Sequence, residues 1–426
     1  MLERIIENIS WLFFDKVVRL GMGLIVGIWV ARYLGPEQYG LLNFGIATVA
    51  LFAIFVKLGL QSIVVRDLVN NPEETGVTIG TAAAMQMVGA AFAYLLLTIA
   101  ITYMRPDDQL ARTIVLLLGL TLFLKGFDTA KFWFESQVRS KYVVWLANAV
   151  FLALSAVKVV LILSGAPLLA FAWVTVADAI IVGIGSILLF FHFGPGRKAL
   201  RFSLARAREL VADSWPLLLS SAAIAIYMKV DMVMLGQMAD DKEVGIYAVA
   251  TKISEIWHFV PLIIVASVFP SIMNAKKKDE TSYLRRFQTL FDLMVWLSIL
   301  IAIPVSLFST FIINQLFSNQ YSEAGIVLSI HTWALIFVFY GAAWSKWVII
   351  EKYTDKILYL HISASIINVG LNLILIDPLG AKGAAIATVI SYGIGHTLLI
   401  YIQSDLRRSG LFFLNAVTLR RLWDRE

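Results

Sequence analysis

Residues 10–40 read SWLFFDKVVRLGMGLIVGIWVARYLGPEQYG, an apolar stretch interrupted by charge and closed by a Gly-Pro turn. Its run over residues 11–33 is long enough to cross a bilayer core, which takes about 20 helical residues. Within it, Arg19 follows Asp15 by four residues and Lys16 by three, so the three charges share one helical face. A charge at the centre of a transmembrane helix costs roughly 2.5–3.5 kcal/mol. We therefore expect this face to look into protein or water rather than lipid.

The composition of the whole chain agrees with a membrane protein. Of its 426 residues, 59% are hydrophobic and 15% are charged, and the mean hydropathy is +0.81. Soluble domains are typically about 45–50% apolar and 25% charged, so the sequence predicts an all-α integral membrane protein. The first apolar segment is too long and too charged for a cleavable signal peptide. The chain has no cysteine, which excludes disulfides and thiolate metal sites, and no cofactor is predicted.

About twelve apolar spans follow one another with short loops, which predicts two six-helix bundles. The predicted spans are residues 11–33, 41–62, 78–103, 112–134, 142–163, 168–192, 214–238, 245–271, 287–312, 324–349, 357–376 and 383–404. The predicted domains are an N-terminal bundle (1–192), a cytoplasmic basic linker (193–213), a C-terminal bundle (214–404) and a cytoplasmic basic tail (405–426). Residues 203–210, which begin with the N-cap residue Ser203, and the tail around residues 411–423 are predicted to be surface helices or solvated basic loops.

Lysine and arginine in the loops predict the orientation. About 21 of them fall on one set of alternating loops and 3 on the other. By the positive-inside rule both termini are predicted to be cytoplasmic, in a multi-pass protein of the cytoplasmic (inner) membrane. The net charge of +6 is accounted for by these loops, so nucleic acid is not a predicted partner.

Two hairpin motifs in matching positions of the halves suggest a parallel repeat with a site between the bundles. They are GPEQYGLL at residues 35–42 and DDKEVGIY at residues 240–247, which belong to the longer motifs ARYLGPEQYG (31–40) and EVGIYAVATKISE (243–255). The motifs at residues 31–40 and 243–255 resemble those of the polysaccharide transporter family, the O-antigen and lipid-linked oligosaccharide flippases of the multidrug/oligosaccharidyl-lipid/polysaccharide superfamily. The resemblance covers essentially the whole chain. It implies a V-shaped pair of bundles, alternating access, and a cationic central cavity for a sugar-linked pyrophosphate.

Basic residues deep in the predicted spans are the candidates for binding such an anion, since arginine can hold two phosphate oxygens and lysine acts as a mobile point charge. Lys158 is as deep as these candidates, whereas Lys131 is predicted to reach the interface from near a span end. The alternative is an intramembrane ion pair, as the i,i+3 spacing allows for Lys125 with Asp128. The substrate-binding hypothesis comprises Lys16, Arg19, Lys57, Lys125, Lys229 and Lys252.

Two carboxylates are candidates for coupling transport to a proton or a sodium ion. Glu255 lies one turn from Lys252, so a permanent ion pair between them is the alternative. Asp178 has no basic neighbour at helical spacing, which makes it either a partner for another helix or a titrating group. His331 is one of four histidines in separate spans and is predicted to be a hydrogen-bonded helix contact rather than a ligand.

The sequence predicts a flippase that moves polyprenyl-pyrophosphate-linked oligosaccharide units across the membrane. One alternative is a multidrug exporter of the same superfamily, although a cavity for organic cations should be acidic or aromatic. A membrane glycan polymerase or ligase is a further alternative, but the short outer loops contain no nucleophile with its base, so the protein is not predicted to be an enzyme. Polysaccharide polymerase and chain-length proteins are candidate partners.

Overall fold

The structure is a computed structural model that describes residues 2–194, 200–403 and 406–418. Within these ranges it describes all side chains except those of residues 2–18, 354, 355, 396, 398, 401 and 408. The described residues form helices and contain no β-strand, which confirms the predicted all-α class. Clustering of the fold divides the chain into two compact units, Met1–Val233 and Met234–Glu426. This division falls inside the helix Leu204–Met238 and not at a predicted boundary. The predicted domain boundaries therefore stay predictions.

Ten helices begin in the first unit, and the last of them continues past the division. They are α1 (Leu2–Phe52), α2 (Ile54–Lys57), α3 (Leu60–Asn70), α4 (Thr75–Met104), α5 (Gln109–Gly119), α6 (Thr121–Lys125), α7 (Thr129–Ser136), α8 (Lys141–Leu163), α9 (Leu168–Phe193) and α10 (Leu204–Met238). Short 3₁₀ turns lie at Pro72–Glu74 and Gly126–Asp128.

The second unit contains ten further helices among its described residues. They are α11 (Asp241–Glu255), α12 (Phe259–Lys276), α13 (Glu280–Leu307), α14 (Ser309–Phe317), α15 (Ala324–His331), α16 (Leu335–Ile350), α17 (Thr354–Leu379), α18 (Ala381–Gly393), α19 (Leu399–Ile402) and α20 (Arg407–Thr418). 3₁₀ turns lie at Ile256–His258, Asn319–Tyr321 and Thr332–Ala334, and a π turn at Ile394–Leu398.

Ten helical segments of the described chain are long and apolar enough to cross a membrane, so the predicted number of twelve is not confirmed. One of the ten, Arg19–Asn70, contains residues 19–33 of the first predicted span and all of the second, which are joined at a kink at Gly35. The last predicted span, 383–404, consists of α18, the π turn and α19, and none of these pieces alone reaches spanning length. The multi-pass membrane architecture itself is confirmed.

The kink inside α1 lies where the Gly-Pro motif predicts a break. Gly35 has φ 73° and ψ 171°, outside the helical region, and Pro36 follows it. Proline has no N–H to donate and pushes the preceding residue out of helical geometry. A glycine tolerates the positive φ because it carries no Cβ. The chain therefore kinks at Gly35, where two helical segments of α1 meet.

The basic segment after the first six predicted spans is a helix docked on the first unit. The Oγ of Ser203 accepts the backbone N–H of Arg206 at 3.3 Å, so the predicted N-cap is confirmed. The helix does not stop at residue 210, however, but continues as α10 through Pro216 to Met238. Leu210 is buried in the core that α3, α4, α7 and α9 also build. The prediction of a separate surface helix over residues 203–210 is therefore wrong, since residues 204–210 form the first turns of a spanning helix.

The C-terminal helix α20 packs against the second unit. Phe412 is 7% exposed, and its carbonyl accepts the side-chain amide of Gln288 at 3.1 Å. The indole of Trp296 donates to the carbonyl of Ala416 at 3.0 Å. The tail was predicted as a surface helix or solvated loop, but residues 411–418 bury aromatic side chains against α13 and α16. Residues 419–423 of that prediction lie outside the described residues.

Candidate functional site

The predicted site residues occupy different environments. Lys57 is exposed, whereas Arg19, Lys125, Asp178, Lys229, Lys252 and Glu255 are half-buried. The side chains of Lys16 and of its neighbour Asp15 lie outside the described residues. Lys57, Lys125, Lys229, Arg19 and Asp178 belong to the first unit, and Lys252 and Glu255 to the second.

Lys125 is the centre of a group of charges in the first unit. It interacts electrostatically with Asp128 and with two further cations, Lys57 and Lys131. The Nζ of Lys131 donates to the carboxylate of Asp128 at 2.6 Å. The carboxylate therefore takes Lys131 rather than Lys125 as its close partner, and Lys131 is held in an ion pair instead of reaching for the interface.

Asp178 on α9 extends this group to three other helices. It interacts with Arg19 of α1, Lys158 of α8 and Lys131 of α7. The guanidinium of Arg19 lies 5.4 Å from the centre of the Phe151 ring, in cation–π contact. The cations that act on Asp178 thus come from other helices, which spacing along α9 could not indicate.

These side chains form one connected cluster, which we call the cationic cluster. It consists of Arg19, Lys57, Lys125, Lys131 and Lys158 with Asp128 and Asp178, and carries a formal net charge of +3. In apolar helices such an excess of positive charge is costly unless water or an anion balances it. The arrangement is suited to binding a polyanion such as a pyrophosphate.

The helices of the first unit are interrupted at two of these charges. Lys57 is the last residue of α2 and is followed by Leu58 (φ 50°) and Gly59 (φ 67°). Lys125 is the last residue of α6 and precedes the 3₁₀ turn at Gly126–Asp128. Such interruptions leave backbone carbonyls and amides without helical partners and recur at hinges and ion sites.

The second unit has a comparable interruption at Lys252 and Glu255. Both lie in the last turn of α11, immediately before the 3₁₀ turn at Ile256–His258. Between them in sequence, Ser254 is fully buried, and its Oγ lies 3.0 Å from Nδ1 of His331. Tyr247 packs edge-on against the same imidazole, with the ring centres 5.9 Å apart. The prediction that His331 is a hydrogen-bonded helix contact is confirmed.

Lys229 is not drawn into the cationic cluster. It lies half-buried on α10 and forms no ion pair with any side chain that the structure describes. Nor do the described residues contain three His, Cys, Asp or Glu side chains placed to hold a metal ion.

Residues 5–276 match the family model described as "Polysaccharide biosynthesis protein", which covers more than half of the chain. The chain belongs to the polysaccharide biosynthesis protein family. Residues 216–374 also match the MatE model. The two matches overlap over residues 216–276.

Two similar proteins come from Haloferax volcanii. The chain is 28% identical over 260 residues to the probable flippase AglR, an alignment that spans 58% of this chain and 51% of AglR, about half of that relative's length. It is 21% identical over 400 residues to the probable low-salt glycan biosynthesis flippase Agl15, covering 91% of this chain and 81% of Agl15.

Solved structures agree on the fold. The lipid II flippase MurJ in an inward closed conformation superimposes with a TM-score of 0.71 at 16% identity, over 97% of this chain and 91% of MurJ. An inward-facing multidrug resistance MATE family transporter gives 0.64 at 15% identity, over 98% of this chain and 99% of the other. The family member described here therefore has a membrane transporter fold.

Two features of the site escaped prediction. The pairing of His331 with Ser254 joins residues 77 apart in the chain, and nothing in their local spacing indicates it. The interaction of Lys131 with both Asp128 and Asp178 was missed because a position near a predicted span end favoured the interface.

Proposed function

We propose that this protein is a flippase for polyprenyl-pyrophosphate-linked oligosaccharides that works by alternating access. The single observation that carries the proposal is the cationic cluster, whose named side chains have a net charge of +3 among apolar helices. A pyrophosphate brings two or three negative charges and many acceptor oxygens. It would balance the cluster's charge while its lipid tail stays in the bilayer.

The roles of the cluster residues follow from their chemistry. The planar guanidinium of Arg19 suits bidentate contact with phosphate, and Lys57 and Lys125 supply point charges at helix interruptions. Lys252 of the second unit, Lys229 of α10 and Lys16 stay proposed substrate contacts. A cluster tied to interrupted helices can change geometry as the helices move, which a binding site in a transport cycle requires.

The relatives support this substrate class. AglR and Agl15 are both named as probable flippases, the second for glycan biosynthesis, and both are distant in sequence. Their names indicate transport rather than catalysis.

Multidrug export is the second candidate, favoured by the MatE match over residues 216–374. The cluster argues against it, because a site for organic cations should carry net negative charge or exposed aromatic faces. Reconstitution into liposomes separates the two. A polyprenyl-pyrophosphate oligosaccharide with a fluorescent sugar should become accessible to an impermeant quencher faster than in empty liposomes. Transport of ethidium but not of this lipid would reject the flippase.

Orientation is proposed from the positive-inside pattern, with both termini in the cytoplasm of a cytoplasmic membrane. Cysteine introduced at Lys278 or at Asp240 reports each side without background, since the chain has no native cysteine. Both positions are exposed. Intact cells should leave Lys278→Cys unlabelled by an impermeant maleimide and label Asp240→Cys. The reversed result would reject the orientation.

Glu255 is proposed to couple transport to a proton or a sodium ion, with Asp178 as a second candidate. If Glu255 exchanges a cation in each cycle, Glu255→Gln should lower transport by about tenfold and remove its dependence on pH or sodium. Glu323→Gln is the matched control, because Glu323 is an exposed carboxylate of the same unit, paired with Lys242 at 2.8 Å. Unchanged rate and ion dependence in Glu255→Gln would remove the coupling role. A polymerase and chain-length proteins are the proposed partners.

A further inference from the structure

A groove of about 510 Å³ lies between α12 and α13 at the end where Lys276 closes one helix and Glu280 begins the next. It is built by helices of the second unit alone and shares no residue with the cationic cluster. Two arginines that the transport mechanism does not use, Arg285 and Arg286, line it.

The polar end of the groove is held in a defined geometry. Nη1 of Arg286 donates to the carbonyl of Ser271 at 3.0 Å and also to the Ser271 hydroxyl, which ties the guanidinium across the groove. These described hydrogen bonds use one nitrogen, so the Nη2 and Nε edges stay able to donate to a phosphate. Ser282 and Thr289 complete the polar lining.

The other end of the groove is apolar. Val268, Leu290 and Leu293 line it, and Leu293 is 47% exposed. Along α13 the lining changes from Ser282 through the arginines to Leu293, a rise of about 16 Å at 1.5 Å per residue. Charge at one end and hydrocarbon contact at the other match the order of headgroup, glycerol and acyl chain in a phospholipid.

The charge around the groove has the sign that this ligand needs. The lining residues include two arginines and no carboxylate. Lys277 and Lys278 are exposed just beyond the polar end. The neighbouring carboxylate of Asp279 accepts the backbone N–H groups of Thr281 and Ser282 at 3.2 and 2.7 Å, so it is engaged by the start of α13. Clustered basic residues at a membrane surface attract anionic lipid.

We infer that this groove binds one anionic phospholipid, with its phosphate on Arg286 and Arg285 and an acyl chain along Leu290 and Leu293. Under the predicted orientation the lipid belongs to the cytoplasmic leaflet. The site goes beyond the proposed function, because it needs neither the cationic cluster nor any particular cargo. A bound lipid would brace the α12–α13 pair at the membrane surface.

Native mass spectrometry of the full-length, delipidated protein tests the site directly. The probe is phosphatidylglycerol with palmitoyl and oleoyl chains, and phosphatidylcholine with the same chains is the zwitterionic comparison. Arg285→Gln with Arg286→Gln should weaken phosphatidylglycerol binding by about tenfold or more. Lys277→Gln with Lys278→Gln removes the same charge outside the groove and should weaken it by no more than about threefold. Equal losses in the two double variants would overturn the site.

Two competitors separate the sources of the phosphate. Glycerol phosphate lacks acyl chains and should displace the bound phosphatidylglycerol poorly. If it displaced the lipid as well as unlabelled phosphatidylglycerol does, the apolar half of the site would be overturned. Farnesyl pyrophosphate should also compete poorly. Tighter, Arg286-dependent binding of farnesyl pyrophosphate than of phosphatidylglycerol would overturn the phospholipid assignment in favour of a transported lipid.

Thr289→Glu keeps the test decisive if the arginine double variant misfolds. It places a carboxylate in the exposed groove while leaving the Arg286–Ser271 contact in place. The variant should lose phosphatidylglycerol binding with an unchanged size-exclusion profile. Retained binding in a folded Thr289→Glu protein would overturn the inference.

Discussion

Replacing Arg19 by alanine should lower transport of a lipid-linked oligosaccharide by about tenfold to a hundredfold, since a hydrogen bond to a charged group contributes roughly 1.5–3 kcal/mol. Arg19→Lys should be intermediate, because it keeps the charge and loses the bidentate fork. The residue lies in the cationic cluster, over Phe151 and near Asp178. Initial rates in proteoliposomes at matched protein content measure the effect.

Arg32 supplies the matched control for this series. It is a basic residue of the same helix, exposed and outside the cationic cluster, so Arg32→Ala should retain most of the transport rate. A loss in Arg32→Ala equal to that in Arg19→Ala would indicate a general effect of charge on α1 rather than a cargo site.

The competing explanation is that Arg19 only neutralises Asp178. In that case Arg19→Lys should work nearly as well as arginine. The double variant Arg19→Gln with Asp178→Asn should then recover much of the loss, because no uncompensated charge stays buried. Recovery by the neutral pair would remove Arg19 from the substrate contacts.

Asp67→Ala should lower the free energy of unfolding by about 2–3 kcal/mol, because the half-buried guanidinium of Arg206 loses its buried carboxylate partner. The carboxylate of Asp67 is 9% exposed and binds Arg206 at 2.8 Å and Arg66 at 2.9 Å. The Nε of Arg206 is already buried without a described partner. Unfolding in detergent, followed by tryptophan fluorescence against denaturant, measures the change.

The control is the second acidic partner of Arg206, which is exposed, whereas Asp67 is buried. Glu209 binds Arg206 at 2.9 Å but is 64% exposed. Glu209→Ala should therefore change stability by no more than about 0.5 kcal/mol. Asp67→Leu with Arg206→Leu should recover much of the loss, since an apolar pair can replace a buried ion pair. Equal effects of Asp67→Ala and Glu209→Ala would refute the role of burial.

Ion pairs join the first turns of α10 to α3. Arg206 and Asp213 on the first turns of α10 bind Asp67 and Arg66 on α3. The basic segment is therefore part of the first unit's packing. Weakening it should slow transport as well as unfold the protein more easily, so stability and rate should be measured on the same samples.

Local sequence determined the class of this protein and much of its outline. Long apolar runs can satisfy their backbone only as helices in a membrane, which is why composition and length sufficed to predict the all-α class. The Gly35–Pro36 break and the Ser203 cap were also predicted, because each depends on the conformational limits of one or two residues.

Only the tertiary structure decided which charges meet. Asp128 has Lys125 three residues before it and Lys131 three residues after it, a symmetry that helical spacing cannot resolve. The 3₁₀ turn at Gly126–Asp128 separates Lys125 from the helix that carries Lys131, and the close ion pair forms with Lys131. Asp178 interacts electrostatically with Arg19, Lys158 and Lys131 of three other helices. Spacing along one helix reports neighbours within a turn, whereas such contacts depend on how distant segments pack.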